Sequence, residues 1–298
     1  MTLDEVGPPD LRPLGVGETL DAAFRLLRQN LGKYLKLTVV FVLVPLVFLS
    51  AYQLSEIAGI RGNVVLVNDP DSYTQTVLWI GLLGRVSQLL CFGLLVHLST
   101  RLYMNHEETA GSILRSSGRR FLPFIGMFLL LVLYAIGVAI VASLGSLLFG
   151  PLSVFALLAV LTAWFTYYSL SVPAFWYEGI TASKAIGRSS ALVRNRFWKV
   201  LGALSVGLVI IGVFSVGLVA LVVSTLLNMR DPLPFVLTTN GLELVGTVIS
   251  FIILAPVVTV TYFDCRVRNE GLDMQLKLGQ IGEPDDTWRD EPPPQVPW

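Results

Sequence analysis

The sequence predicts an all-α integral membrane protein, with six transmembrane helices in a threefold repeat of one cytoplasmic amphipathic helix and two spans. Three observations lead there. Of 298 residues, 54% are hydrophobic and only 14% charged, against about 25% charged in soluble domains. Six apolar stretches can each cross a hydrocarbon core about 30 Å thick. Lys and Arg gather on alternate connections between those stretches.

The stretches are about 37–54, 77–99, 122–147, 151–173, 200–227 and 241–263. Backbone groups in lipid must be satisfied within their own segment, so runs of this length form helices. A barrel strand would alternate apolar and polar residues over about ten positions. Phe128-Leu129-Leu130-Leu131-Val132-Leu133 does not alternate. The second stretch contains Arg85, which costs ~3 kcal/mol at a span centre. The fifteen or so apolar side chains between Val77 and Leu98 contribute roughly −6 kcal/mol, so the segment still inserts. Pro45, Pro123, Pro173 and Pro256 fall in or beside spans and predict local bends.

Charge placement sets the orientation. Arg12, Arg25, Arg28, Lys33 and Lys36 precede the first span. Arg101, Arg115, Arg119 and Arg120 lie in the second connection, and Lys184, Arg188, Arg194, Arg196 and Lys199 in the fourth. Arg266, Arg268, Lys277 and Arg289 follow the last span, so 18 of the 21 basic residues share one side. Arg61 and Arg230 lie on the other. The positive-inside rule makes the basic side cytoplasmic and places both termini there. The opening, with Asp4, Glu5, Pro8 and Pro9, lacks the pattern of a cleaved signal, so the first span is expected to remain as an anchor.

The basic segments repeat. Leu20, Ala23, Phe24, Leu27 and Leu31 share one helical face, with Asp21, Arg25 and Arg28 on the other. Such a helix lies in the membrane interface. Segments 109–121 and 181–198 follow the same order, from Thr109 and Thr181 to the endings Arg120-Phe121 and Arg196-Phe197-Trp198. The implied organisation is a cytoplasmic segment 1–16, a membrane domain 17–276 and a Pro-rich acidic tail 277–298, expected to be disordered. The repeats fall at about 17–107, 108–179 and 180–276.

These segments nominate a rim that contacts anionic headgroups: Arg25, Arg28, Lys33, Arg115, Arg119, Arg120, Lys184, Arg188, Arg194, Arg196, Lys199 and Trp198. Each cation near an anionic leaflet contributes about 1 kcal/mol. Within the spans, Arg85 needs a partner. Arg85 lies 18 residues before Tyr103, and Glu243 lies 19 before Tyr262. At 1.5 Å per residue these are depths of about 27 and 28 Å. Arg85, Glu243 and Gln88 are therefore the expected intramembrane polar group, either a packing device or a site for an anionic headgroup or solute.

Other constellations are weaker. His106-Glu107-Glu108 does not place two metal ligands on one helix face. His97 reads as a packed side chain near the interface rather than a proton relay. Cys91 and Cys265 have neither metal-ligand nor disulfide-framework spacing. No nucleophile with a base, phosphate loop or acid pair is recognisable. No cofactor or metal is expected, and a net charge of zero gives no reason to expect nucleic acid.

Arg12-Pro13-Leu14-Gly15-Val16-Gly17-Glu18-Thr19-Leu20-Asp21-Ala22-Ala23-Phe24-Arg25 resembles the start of the glycerophosphoryl diester phosphodiesterase membrane-domain family. So do Pro173-Ala174-Phe175-Trp176-Tyr177-Glu178-Gly179 and the close of the last span, Tyr262-Phe263-Asp264-Cys265-Arg266-Val267-Arg268-Asn269-Glu270-Gly271-Leu272-Asp273. The resemblance covers about residues 12–276. It implies a stand-alone module of a bacterial cytoplasmic membrane, of the actinobacterial type, without the soluble barrel that does the chemistry in hydrolytic members. With only His97 and His106 present, the expected function is non-enzymatic: a scaffold or accessory protein contacting anionic lipid, with a membrane-protein partner or a second copy. The alternative is a transporter or lipid-translocating component with a cavity between repeats. An intramembrane enzyme acting on lipid is a third reading.

Overall fold

The computed structural model describes residues 12–61, 70–106, 108–149, 152–228 and 232–275. The acidic tail and most of the 1–16 segment lie outside the described residues. Every described element is helical: α1 (Val16–Arg61), α2 (Pro70–Tyr103), α3 (Ala110–Ser117), a 3-10 turn (Gly118–Arg120), α4 (Phe121–Phe149), α5 (Leu152–Tyr168), α6 (Ser171–Glu178), α7 (Ala182–Arg194), α8 (Phe197–Asn228) and α9 (Pro232–Glu270). Six stretches are long and apolar enough to cross a membrane: Val16–Gln53, Leu78–Tyr103, Ala110–Ile140, Phe155–Glu178, Phe197–Ser224 and Pro234–Glu270. The chain is a multi-pass membrane protein.

The basic segments become short helices joined to spans. In α1 the join is Asn30, whose φ of −122° and ψ of 18° break the helical path. Thr19, Ala23, Leu26 and Leu27 are buried on the segment before it. Leu20 is half-buried, whereas Phe24 and Leu31 stay exposed. The buried stripe is thus rotated toward residues 19, 23, 26 and 27 relative to the expected face, because the segment packs on the bundle as well as facing the interface. α3 starts with a capping box, in which Thr109 and Ser112 exchange side-chain-to-backbone hydrogen bonds of 3.2 and 3.0 Å. Glu108 accepts from Ser112 Oγ, and Arg101 lies 3.0 Å away. The Ser112 hydroxyl first, with the Arg101 guanidinium beside it, holds the Glu108 carboxyl below the usual carboxylate range.

The fourth span is not the continuous helix expected over 151–173. It breaks at Ser169-Leu170 into α5 and α6. Pro173 offers no N–H to the carbonyl four residues back and would clash with it in a continuous helix. The break moves Pro173 into the first turn of a new helix, where an N–H is not needed. The Ser169 and Ser171 hydroxyls donate to Thr166 O and Tyr168 O at 3.0 and 2.6 Å, which satisfies carbonyls at the break. Pro123 likewise falls in the first turn of α4.

Pro45 sits inside α1, so the carbonyl of Phe41 loses its helical donor. Ser87 on α2 supplies the replacement, its hydroxyl donating to Phe41 O at 2.6 Å. A neighbouring hydroxyl thus makes the proline tolerable in lipid.

The core sits at the basic end. Phe124 packs against Phe175 and Trp176, with centroids 5.8 and 5.4 Å apart. It also lies against Gly93, where an added Cβ would meet its ring at 2.3 Å. His97 stacks on Trp176 at 4.8 Å and bonds Ser117 Oγ at 2.8 Å, joining α2, α3 and α6. Away from this end, large side chains on α4 and α8 such as Leu133, Ile140, Val213 and Val216 are exposed, as lipid-facing residues should be.

The Pro45–Ser87 arrangement predicts a coupled effect. Ser87→Ala should destabilise the protein by about 1 kcal/mol by orphaning a carbonyl. In a Pro45→Ala background the same change should cost close to nothing, because the helix regains its own donor. Unfolding in detergent, run as a double-mutant cycle, reads the difference; equal costs in both backgrounds would refute the account.

Candidate functional site

Three places hold the polar chemistry: a group inside the spans, a pair of ionic locks at the basic end, and the exposed rim.

Within the spans, α2 and α9 bring Arg85 and Glu243 together. Arg85 Nη1 lies 3.1 Å from Glu243 Oε1 and donates to Gln88 Oε1 at 2.9 Å. Three residues before Glu243, Asn240 donates to Ser50 Oγ and Gln53 Oε1 at 2.8 and 3.0 Å, extending the polar strip onto α1. Gln88 follows Arg85 by three positions, the spacing that puts two side chains on one helix face. A guanidinium in lipid is costly unless its charge is matched, and Glu243 matches it.

The basic end of α9 carries two locks. The first centres on Asp264, whose side chain is 2% exposed. Its Oδ1 accepts from Leu14 N at 2.8 Å and Arg268 Nε at 3.1 Å, and Lys199 Nζ contacts its Oδ2. Lys199 and Arg268 also donate to Leu14 O, the latter at 2.8 Å. One carboxylate and two cations therefore grip both backbone polar groups of a single residue, Leu14, ahead of α1 and bind α8 and α9 to it. The second lock centres on Glu178, which accepts from Arg188 Nε at 2.9 Å and Tyr262 Oη at 2.7 Å. Glu270 pairs with Arg188 and, at 3.0 Å, with Arg266. The Arg266 guanidinium lies 5.2 Å from the Tyr177 ring centre. Asn269 closes α7 by donating to Leu192 O at 2.9 Å.

Apart from their place in the resemblance, Glu178, Tyr262, Asp264, Arg266, Arg268 and Glu270 were not singled out as site residues. The available signal was spacing: Tyr262, Arg266 and Glu270 recur every four positions, as do Asp264 and Arg268.

The rim divides into bound and free cations. Arg188 and Lys199 belong to the locks. Arg120 donates to Phe175 O and Gly179 O at 3.4 and 2.9 Å, capping α6. Gly179 has φ +68°, where a side chain would be strained, and a Cβ there would lie 3.0 Å from the Arg120 guanidinium and press on it. Arg188 and Lys199 are thus paired with carboxylates, whereas Arg120 is held by backbone carbonyls. Arg196 is half-buried, with Nε buried and unpaired among the described residues. Arg25, Arg28, Arg115, Arg119, Lys184 and Arg194 are exposed, and Trp198 is 80% exposed. Lys33 is half-buried and, with Arg12 and Arg25, lines an open groove of about 820 Å³ between the start of α1 and the end of α2.

A second cavity, of about 380 Å³, lies between α2, α4, α5, α6 and α9, and Arg85 and Gln88 form part of its wall. The rest of the wall is mainly apolar and aromatic, including Phe92, Phe128, Trp164 and Phe251. Among the described residues no cluster of three or more His, Cys, Asp or Glu could hold a metal ion. The cysteines Cys91 and Cys265 are both buried and free. No protein-family model, curated protein or solved structure matches the chain.

Two outcomes follow. Asp264→Asn should cost about 3 kcal/mol by stranding Lys199 and Arg268, whereas Glu18→Gln, which loosens an exposed pair with Arg12, should leave the unfolding midpoint nearly unchanged. Thermal unfolding in detergent separates them. Arg85→Glu and Glu243→Arg should each impair assembly, and the double reversal should restore it; an additive double variant would show that the two charges act separately.

Proposed function

We propose that the chain is a non-enzymatic scaffold or accessory protein of a bacterial cytoplasmic membrane, with both termini inside and its basic end held on anionic phospholipid. The resemblance of its opening and of Tyr262–Asp273 to the phosphodiesterase membrane-domain family supports a membrane module without hydrolytic chemistry. The observation that carries the reading is the division of the rim. The cations left over after internal pairing, Arg25, Arg28, Arg115, Arg119, Lys184 and Arg194, all lie at one end of the spans with Trp198. Charges the fold does not use remain for the leaflet, each contributing about 1 kcal/mol. The recurrence of a basic helix before each pair of spans fits a threefold repeat that offers similar surfaces around the bundle. A membrane-protein partner or a second copy has the exposed apolar flank of α8 as a candidate seat.

Transport is the second reading, and the observation in its favour is the cavity between α2, α4, α5, α6 and α9. Its largely apolar wall offers no polar route across the bilayer, which favours the scaffold.

The quadruple variant Arg25→Gln, Arg28→Gln, Arg115→Gln, Arg119→Gln should fold as the parent does. It should retain at least tenfold less phosphatidylglycerol than the parent after delipidation in mild detergent, with phosphatidylcholine unaffected, as read by mass spectrometry of bound lipid. Equal phosphatidylglycerol retention would sink the proposal, as would a reporter fused after Trp298 that is active only outside the cytoplasm.

A further inference from the structure

The cavity between α2, α4, α5, α6 and α9 has the volume of a small-molecule site, about 380 Å³ within a usual range of roughly 300–1,000 Å³. Its polar fringe is rich in unused donors. Both contacts of Arg85, to Glu243 and Gln88, are made by Nη1. Among the described residues the one hydrogen bond of the Arg85 side chain is that of Nη1 to Gln88, and the side chain is 68% exposed. Gln88 spends its carbonyl oxygen on Arg85, so its amide N–H groups remain. Trp164 also lines the cavity, and its Nε1 is buried with no acceptor among the described residues. A buried donor left unmet carries a desolvation cost, and acceptor oxygens on an occupant would remove it.

Charge narrows the class. Glu243 already neutralises Arg85, so an anion at this site would bring an unmatched charge into lipid. Depth agrees. Arg85 is 14 residues from Ser99, whose hydroxyl meets Tyr34 Oη at 2.6 Å near the basic rim. That is about 21 Å along α2, beyond the reach of a phosphate anchored at that rim.

We propose that this cavity binds a neutral lipid bearing carbonyl oxygens, its apolar body among the aromatic side chains and its carbonyls on Arg85, Gln88 and Trp164. Diacylglycerols and isoprenoid quinones share this chemistry.

The test uses the full chain in mild detergent, titrated separately with dioctanoylglycerol, decylubiquinone, tetradecane and dioctanoylphosphatidylglycerol, with ligand-dependent thermal stabilisation as the readout. At least one carbonyl probe should bind saturably, and which one binds tells the source. That binding should weaken at least fivefold in Trp164→Phe and be lost in Leu254→Trp, because Leu254 on α9 also lines the cavity and the larger side chain would fill it. Tetradecane should be indifferent to Trp164→Phe. The quadruple rim variant should bind the carbonyl probe unchanged, so failure here and failure of the lipid-rim reading are distinguishable. The inference is overturned if neither carbonyl probe binds, if binding survives both substitutions, or if the phosphatidylglycerol probe binds best and is displaced by Leu254→Trp.

Discussion

Asp264 is the group on which the basic end depends. It is a carboxylate almost wholly removed from solvent, and it survives there because an N–H and two cations meet it. A buried charge is tolerable only when matched and hydrogen-bonded, so its position dictates where Leu14, Lys199 and Arg268 must be. Those three come from the segment before α1, the first turn of α8 and the end of α9. A single side chain therefore fixes how the chain enters the membrane, relative to how it leaves. The Glu178 lock does the same for α6, α7 and α9. Helices in lipid gain little from hydrophobic attraction to one another, so polar groups at a wet end are where their arrangement can be specified.

The same economy of polar groups explains the local breaks. Inside lipid, a carbonyl deprived of its donor has no water to turn to. At Pro45 the helix continues because Ser87 reaches across from α2. At Pro173 it stops, and serine hydroxyls close the break. α9, by contrast, runs on through Pro256 with no replacement donor to Ile252 O among the described residues, so a donor from a neighbour accounts for the Pro45 case alone.

Much of the architecture was legible because hydropathy is a sum over twenty residues, and local errors average out. The juxtaposition of Arg85 and Glu243 could be read by counting depth from aromatic residues at the basic ends of their spans, because a straight helix converts residue number into height. The break at Ser169-Leu170 was hidden because the run stays apolar through it; only Pro173 flanked by Ser169 and Ser171 marked it. The sorting of the rim was not legible at all. Lys199 and Asp264 are 65 positions apart, and nothing local distinguishes Lys199, which is paired, from Lys184, which has no ion-pair partner among the described residues. Whether a cation is paired within the fold depends on which carboxylate the tertiary structure carries to it.

Packing is distributed unevenly along the bundle. At the basic end, ionic locks and the Phe124–Trp176 cluster tie the elements together, beside cations that have no ion-pair partner among the described residues. Farther into the spans the specifying contacts thin out to Ser87, the Arg85 group and Asn240, all on the side where α1, α2 and α9 meet. The α4–α5 pair has no comparable polar tie to α2 or α9 at that depth among the described residues, and the cavity opens between them. Arg85 thus faces two ways: its Nη1 completes the tight α1–α2–α9 core through Glu243, and the rest of its guanidinium belongs to the loosely packed side. A charge kept neutral by one neighbour, with donors left over for another, is the feature that joins the scaffold of this protein to the space inside it.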